Sequence, residues 1–331
     1  MSIMYRSKIS GLGSHLPPKK LTNHDLEKMV DTNNEWIVER TGIHSRSLAE
    51  DGQGTSDLAL IAAEEAIKKA GIHKSEIDLL VFATVTPDHL MPSSACYLQA
   101  KLGLRNIMAF DLAAACSGFI YALSVVDQFI RTGHYKNALI IGAEILHHKV
   151  DYTERGTCIL FGDGAGAAIV TRTEDEDSSL VLSTHSHADG TLADLLYVPS
   201  GGSVMPFTQE TLDAKEIFVS MKGREIFKHA VRTMSQACQE ALDANKISKD
   251  DIDWVIPHQA NVRIIEAVAK HFEIPMEKVI VHIENMGNVS AATIPISLHY
   301  YMEAGKIKKG DLVLMTAFGA GLTSGSAVIR V

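Results

Sequence analysis

Residues Asp111–Phe119 read DLAAACSGF. Ahead of them IMAFD (107–111) is a short apolar strand, and behind them SGFIYALSVVDQFIR (117–131) carries apolar residues at helical spacing towards Gly133. Cys116 therefore stands where a strand stops and a helix begins, among alanines. Free cysteine is one of the most buried residue types, so packing is the bland reading. The sharper reading is a nucleophile at a helix N-terminus, where unpaired N–H groups lower a thiol pKa.

Working outward, helix and strand signals alternate along the chain, the pattern of an α/β protein, and the pattern occurs twice. TSDLALIAAEEAIKKA (55–70) predicts a helix capped at Thr55 or Ser56, apolar at Leu58, Ile61, Ala62 and Ala66, with exposed pairs Glu64–Lys68 and Glu65–Lys69. GREIFKHAVRTMSQACQEALDA (223–244) places Phe227, Val231, Met234 and Cys238 on one face. Each is followed by Ile-Asp punctuation and an apolar strand, LLVFATV (79–85) and WVIP (254–257). Asp78 and Asp253 lie 175 positions apart; Cys116 and Asn288, like Gly133 and Gly305, lie 172 apart. Buried strands follow in ALIIGAE (138–144) and DLVLMTAFGAG (311–321), and the halves close on GDGAGAAIV (162–170) and GLTSGSAVIR (321–330). The expectation is two similar halves, 1–175 and 176–331, packed about a pseudo-twofold. Cys116 and Asn288 then occupy equivalent strand-to-helix junctions, and His258 in WVIPHQANVRII (254–265) occupies a third. Open α/β sheets gather ligands at such strand ends.

Composition bounds the rest. A chain of 331 residues, 46% hydrophobic and 21% charged, is globular and long enough for one large or two ordinary domains. No apolar run reaches the roughly 18 residues of a membrane helix. MSIMYRSKIS at the start lacks a signal-peptide core, so a cytoplasmic protein is expected. A net charge of −9 argues against a nucleic-acid surface, so any anionic ligand must meet a local basic patch. Cys96, Cys116, Cys158 and Cys238 are scattered without CxxC spacing and read as thiols, with Cys96, Cys158 and Cys238 assigned to the core.

A thiolate nucleophile, a histidine donor or base and an asparagine amide suit acyl transfer through a thioester. They also suit enolate stabilisation, because neutral donors can hold an enolate oxygen. Other motifs carry less. In THSHADG (184–190), His185, His187 and Asp189 have metal-ligand types but no fourth ligand, and a strand end entering a turn explains them better. GDGAGA lacks the Lys-Ser/Thr of a phosphate loop, and close backbone packing accounts for its glycines.

The segments DLAAACSGF, FGDGAGAA (161–168), PHQANVRI (257–264) and NMGNVSAATIP (285–295) together resemble the β-ketoacyl-acyl-carrier-protein synthase III family. The resemblance runs from LTNHDLEKMVDTNNEWIVERTGI (21–43) to AFGAGLTSGSAVIR (317–330). It implies a thiolase-like fold, two duplicated halves in a five-layered αβαβα sandwich, and a homodimer without cofactor or metal. The first half would carry the nucleophilic cysteine and the second the histidine and asparagine. It implies a ping-pong condensation in which Cys116 takes an acyl group from acyl-CoA. His258 and Asn288 then hold the enolate from decarboxylated malonyl-acyl-carrier protein. Backbone N–H groups of Cys116 and Ala320 look like the oxyanion hole. Trp36 and Arg155 resemble the adenine sandwich, Arg40 a further CoA contact, and Met221 and Asn261 residues of the pantetheine tunnel. Phe318 looks like the ring beside the nucleophile, and Lys228, Arg263 and Lys270 like the patch that meets an acidic carrier protein. The chain departs from the family pattern at Ala320, Ser324, Val289 and Met91. Met91 stands where a phenylalanine often closes the neighbouring subunit's primer pocket, and a flexible thioether there suits a primer longer or more branched than acetyl. The rival readings are a starter-unit condensing enzyme or acyltransferase of secondary metabolism, a cysteine hydrolase, and an inert acyl-CoA-binding protein.

Overall fold

The computed structural model describes residues 5–173 and 179–331, so the expected boundary at 175/176 lies outside the described residues. Two sheets organise the chain. The first runs in the order Arg6–His15, Gly164–Thr173, Asn137–Glu144, Leu79–Ala83, Met108–Leu112. Its last three strands are parallel, and the first two pair antiparallel. The second runs Trp254–Pro257, Leu312–Gly319, Thr323–Arg330, Leu180–Ala188, with its first pair parallel and the others antiparallel.

Strand alternation distributes side chains to two faces of each sheet. Leu79, Val81 and Ala83 enter the central core with Ala138 and Ile140, whereas Leu80, Phe82, Leu139 and Ile141 face outward into a second core. On the second sheet Val313, Met315 and Ala317 face the centre, while Leu314 and Val328 face outward. Helices cover every face. Thr55–Ala70 and Ser94–Leu102 cover the outside of the first sheet. Gly118–Arg131 and Thr293–Glu303 lie between the sheets. Gly223–Asn245 and Val262–Phe272 cover the outside of the second. The result is the expected α/β sandwich of five layers. The helix Gly118–Arg131 buries Phe119, Ile120, Leu123, Val126 and Ile130, as its place between two sheets requires.

Several local expectations differ. The cap of helix Thr55–Ala70 is Gly54, whose N–H donates to Asp57 Oδ2 at 2.8 Å. Thr55 and Ser56 turn instead to the loop ahead, the Ser56 hydroxyl meeting Asp88 at 2.7 Å. Ile61 is 44% exposed, because the helix packs on the sheet through alanines that allow close approach. Glu65 accepts from the Ser14 N–H, and Lys69 pairs with Glu303 at 2.7 Å, so tertiary partners replace the expected Glu65–Lys69 pair. On the long outer helix the buried seam is Ile226, Ala230, Met234 and Ala237–Cys238, and Phe227 is turned out of it. Cys158 and Cys238 are buried as expected, but Cys96 is exposed, off the face formed by Ala95, Leu98 and Leu102.

The hairpin Lys19–Thr22/Ser45–Leu48 is tied to the body by Arg46, which is fully buried. Its guanidinium donates to Asn23 Oδ1 at 2.5 Å and to Ile159 O from two nitrogens, Nε at 3.0 Å. Burial pushes its pKa down to about 10, so it stays charged at neutral pH. Among the described residues no helix is long and apolar enough to cross a membrane. Arg46→Ala strips two buried acceptors of their donor and is expected to cost about 2–5 kcal/mol, read as a lower urea midpoint.

Candidate active site

Cys116 lies in a three-residue 3-10 turn, Ala115–Ser117, directly ahead of helix Gly118–Arg131. Asn288 precedes a second such turn, Ser290–Ala292, ahead of helix Thr293–Glu303. Both turns open on a residue with φ of +46°, Ala115 and Ser290. They meet in the middle of the sandwich because their neighbours lack side chains. A Cβ on Gly118 would stand 3.2 Å from Ala291 Cβ, and one on Gly142 would stand 2.6 Å from Ala291 O. His258 follows strand Trp254–Pro257, its N–H bonded to Thr316 O at 2.7 Å.

Cys116, His258 and Asn288 line one cavity of about 120 Å³, with Phe318, Asn261 and Met221 in the same wall. Met221 and Gly223 also line an outer cleft of about 540 Å³ beside Glu154, Gly156 and Thr157, so cleft and cavity share part of a wall. Two guanidiniums lie over the Trp36 ring, Arg40 at 4.5 Å and Arg155 at 4.7 Å from its centroid. Asn261 caps helix Val262–Phe272 through Ile264 N–H at 2.9 Å. Lys228, Arg263 and Lys270 are exposed on the two outer helices. Met91 is 85% exposed and does not line the cavity of its own chain. Ala320 follows the strand end whose Gly319 rides over the cysteine turn, where an added Cβ would stand 2.6 Å from Cys116 N. The Thr323 hydroxyl ties both turns, 2.9 Å from Ala114 O and 3.1 Å from Ala320 O.

Burial governs the electrostatics. The Cys116 thiol is pushed up to about 12 by desolvation, with the Glu144 carboxylate adding to the rise and Ser290 opposing it. The expectation of a lowered thiol pKa therefore fails in the resting structure, because loss of solvent outweighs the helix terminus. His258 is pushed down to about 3, also by burial, and is neutral. Its Nδ1 lies 2.6 Å from the Thr293 hydroxyl, which is 3.1 Å from Ser290 O. We assign the hydroxyl proton to the nearer acceptor, which leaves the ring proton on Nε2. Asn288 Oδ1 accepts from Ser290 N–H at 2.9 Å, so its amide NH₂ remains to donate. The cavity thus combines a nucleophile with two neutral donors.

The other motifs serve the scaffold. Asp163 of GDGAGA accepts from Ala49, Leu146 and His147 N–H groups and from the His147 ring, which excludes an anion there. Gly166 packs under Pro295, where a Cβ would come within 2.7 Å. His185 and His187 sit at a strand end and share Glu240, at 3.4 and 2.5 Å. Sequence reasoning missed Thr293, Ser290 and Glu144. A lone hydroxyl in the apolar run AATIP and a lone carboxylate ending ALIIGAE were the available signals.

Comparison with known proteins places this site in context. The family model described as 3-oxoacyl-[acyl-carrier-protein (ACP)] synthase III matches residues 110–190, and its C-terminal counterpart matches 242–331. The β-ketoacyl-[acyl-carrier-protein] synthase III of Alkalilimnicola ehrlichii is 50% identical over 328 residues, covering 99% of this chain and 100% of its own. The crystal structure of 3-oxoacyl-[acyl-carrier-protein] synthase III from Aquifex aeolicus superposes with a TM-score of 0.91 at 48% identity, covering 98% of this chain and 100% of its own. A priming β-ketosynthase of the R1128 polyketide pathway gives 0.90 at 30%, covering 100% and 98%.

The neutral histidines fix a pH dependence. His258 and His282, the latter lowered to about 4, resist protonation when folded but accept a proton near 6.5 when unfolded. Their contribution to stability is therefore complete above pH 6.5 and declines as pH falls towards the folded values of about 3 to 4. Glu144, raised to about 7, acts in the opposite sense between 7 and its ordinary 4.5. The urea midpoint is expected to drop between about pH 7.5 and pH 5, and His258→Asn to flatten the drop. An unchanged slope in the variant would remove His258 from the account.

Proposed function

Because the chain belongs to the 3-oxoacyl-[acyl-carrier-protein] synthase III family, we propose that Cys116, His258 and Asn288 carry its acyl-transferring condensation. The enzyme joins an acyl-CoA primer to malonyl-acyl-carrier protein, with loss of CO₂, and so initiates fatty-acid synthesis. The observation that carries the assignment is the single cavity lined by all three residues, which shares Met221 and Gly223 with an outer cleft. Cys116 attacks the primer thioester, and CoA leaves an acyl-cysteine. Malonyl-acyl-carrier protein then enters the same cavity. His258 Nε2–H and the Asn288 amide hold its thioester oxygen as decarboxylation makes the enolate, which attacks the acyl-cysteine. A histidine held neutral suits this work, because it donates a hydrogen bond without surrendering a proton to the enolate. N–H groups at Cys116 and Ala320 receive the oxyanion of the acyl-cysteine. The polyketide-starter reading is the weaker one, since identity falls from 50% to 30% between the two kinds of relative.

Outside the cavity, Trp36 with Arg40 and Arg155 beside it suits an adenine, which stacks on planar cations and aromatic faces. Met221 and Asn261 line the pantetheine path, and Phe318 the primer end. Lys228, Arg263 and Lys270 receive an acidic carrier protein. Exposed Met91 closes the primer pocket of a second copy in a homodimer, which works in the cytoplasm. The chain divides into similar halves, 1–175 and 176–331. Their inner helices, Gly118–Arg131 and Thr293–Glu303, start 175 residues apart and end 172 apart, since the second is three residues shorter. In that register Ala291, not Asn288, stands opposite Cys116, which corrects the equivalence expected from spacing.

Intact-protein mass spectrometry with acyl-CoAs from acetyl to branched and medium-chain is expected to give one acyl adduct, absent from Cys116→Ala. His258→Ala and Asn288→Ala are expected to keep that adduct but lose condensation by about 10²–10³-fold. Loss of the adduct itself in either variant would move that residue to the first half-reaction. Trp36→Ala is expected to raise the acyl-CoA KM about 10-fold with kcat little changed; an unchanged KM would remove Trp36 from the CoA site.

A further inference from the structure

The mechanism leaves one proton without a destination: the proton of a buried thiol, beside a histidine that is itself buried and neutral. We infer that Glu144 receives it through Ser290, so that a Glu144–Ser290–Cys116 relay governs acylation. This rests on the reading of Cys116 as the nucleophile.

The geometry carries the inference. Glu144 is the last residue of strand Asn137–Glu144 and is fully buried. Its carboxylate is held from one side by Thr84 Oγ1 at 3.1 Å, Val85 N at 3.1 Å, Thr86 N at 3.0 Å and Thr86 Oγ1 at 2.5 Å. No ion pair to it occurs among the described residues, so it is a buried carboxylate held by neutral dipoles alone. On the other side the strand packs on the turn Ser290–Ala292, as the Gly142–Ala291 approach shows. Ser290 is 3% exposed and adopts a left-handed φ of +46°, a conformation that favours glycine. Its N–H donates to Asn288 Oδ1 and its C=O accepts from the Thr293 N–H, but its hydroxyl is buried without a hydrogen-bond partner. The turn that carries this hydroxyl packs on the cysteine turn Ala115–Ser117 and on the strand that ends at Glu144. A serine hydroxyl can accept and donate at once, which is what a relay requires.

The titratable groups at this junction are Cys116, Glu144 and, across the cavity, His258. Burial pushes Glu144 up to about 7, close to working pH, whereas His258 stays far below it. A base is most useful when its pKa lies near the operating pH. During acylation the Cys116 S–H bond breaks, its proton passes to Ser290 Oγ, and the Ser290 proton passes to Glu144. The new S–C bond expels CoA as a thiolate, which takes a proton from solvent. In the condensation half the enolate carbon displaces Cys116 as a thiolate, and the proton returns from Glu144 through Ser290. One proton is stored between half-reactions, and none is lost.

Glu144 touches no substrate, so its role is positional and shows in a pH profile. Single-turnover acylation, read as the adduct mass on Cys116, is expected to rise with pH through about 7 as Glu144 loses its proton. Glu144→Gln is expected to slow acylation about 10²-fold and abolish that limb, while Glu144→Asp retains it at lower rate. Ser290→Ala leaves the four donors to Glu144 in place and is expected to lose the same limb, which guards against a Glu144→Gln protein that fails to fold. A folded Ser290→Ala or Glu144→Gln enzyme with the wild-type rate and pH profile would overturn the relay. No adduct in the wild-type enzyme would instead overturn the nucleophile.

Discussion

The site depends on how closely two turns can approach inside a double sandwich. Cys116 and Asn288 come from opposite halves of the sequence, and each turn opens an inner helix. They share one small cavity only because Gly118 and Gly142 leave room for Ala291 between them. A single methyl group on Gly142 would reach the Ala291 carbonyl and force the turns apart. Interiors pack at crystal density, so a shift of that size cannot be absorbed nearby. The alanines of DLAAACSGF and NVSAATIP serve the same end, since bulk on either turn would separate Cys116 from Asn288.

Enclosure explains the electrostatics as well. Excluding water raises the thiol and the Glu144 carboxyl and lowers the imidazole, so each group is moved towards its neutral form. A cavity of neutral groups has little to attract solvent, and its hydrogen bonds are strong because nothing screens them. Charge is found outside the cavity instead, as where Arg40 and Arg155 meet Trp36. The molecule is acidic overall, yet it gathers guanidiniums at the proposed CoA site.

Much of this was legible in the sequence. Cys116, His258 and Asn288 follow from reactive residues at strand-to-helix junctions, the α/β class follows from alternating helix and strand signals, and the five layers were implied by the family resemblance. What stayed hidden was set by tertiary context. Ile61 reads as core by spacing, but alanine packing on the first sheet turns it to solvent. The Glu65–Lys69 pair reads as local, but Ser14 and Glu303 lie within reach once the layers close. Cys116 and Asn288 look equivalent by number, yet the three-residue difference between the inner helices shifts the register. Glu144 reads as the polar end of a strand, and only the folded chain brings Ser290 beside it.

The raised thiol has a consequence for chemical durability. Oxidants and electrophiles attack thiolates, so a sulfur that keeps its proton until a thioester arrives is protected while idle. Cys158 and Cys238 are buried and likewise pushed up, to about 11 and about 12. That leaves Cys96, exposed at the start of a surface helix, as the thiol that indiscriminate reagents meet first. The same burial that makes Cys116 slow to ionise thus shields it from reagents that need a thiolate.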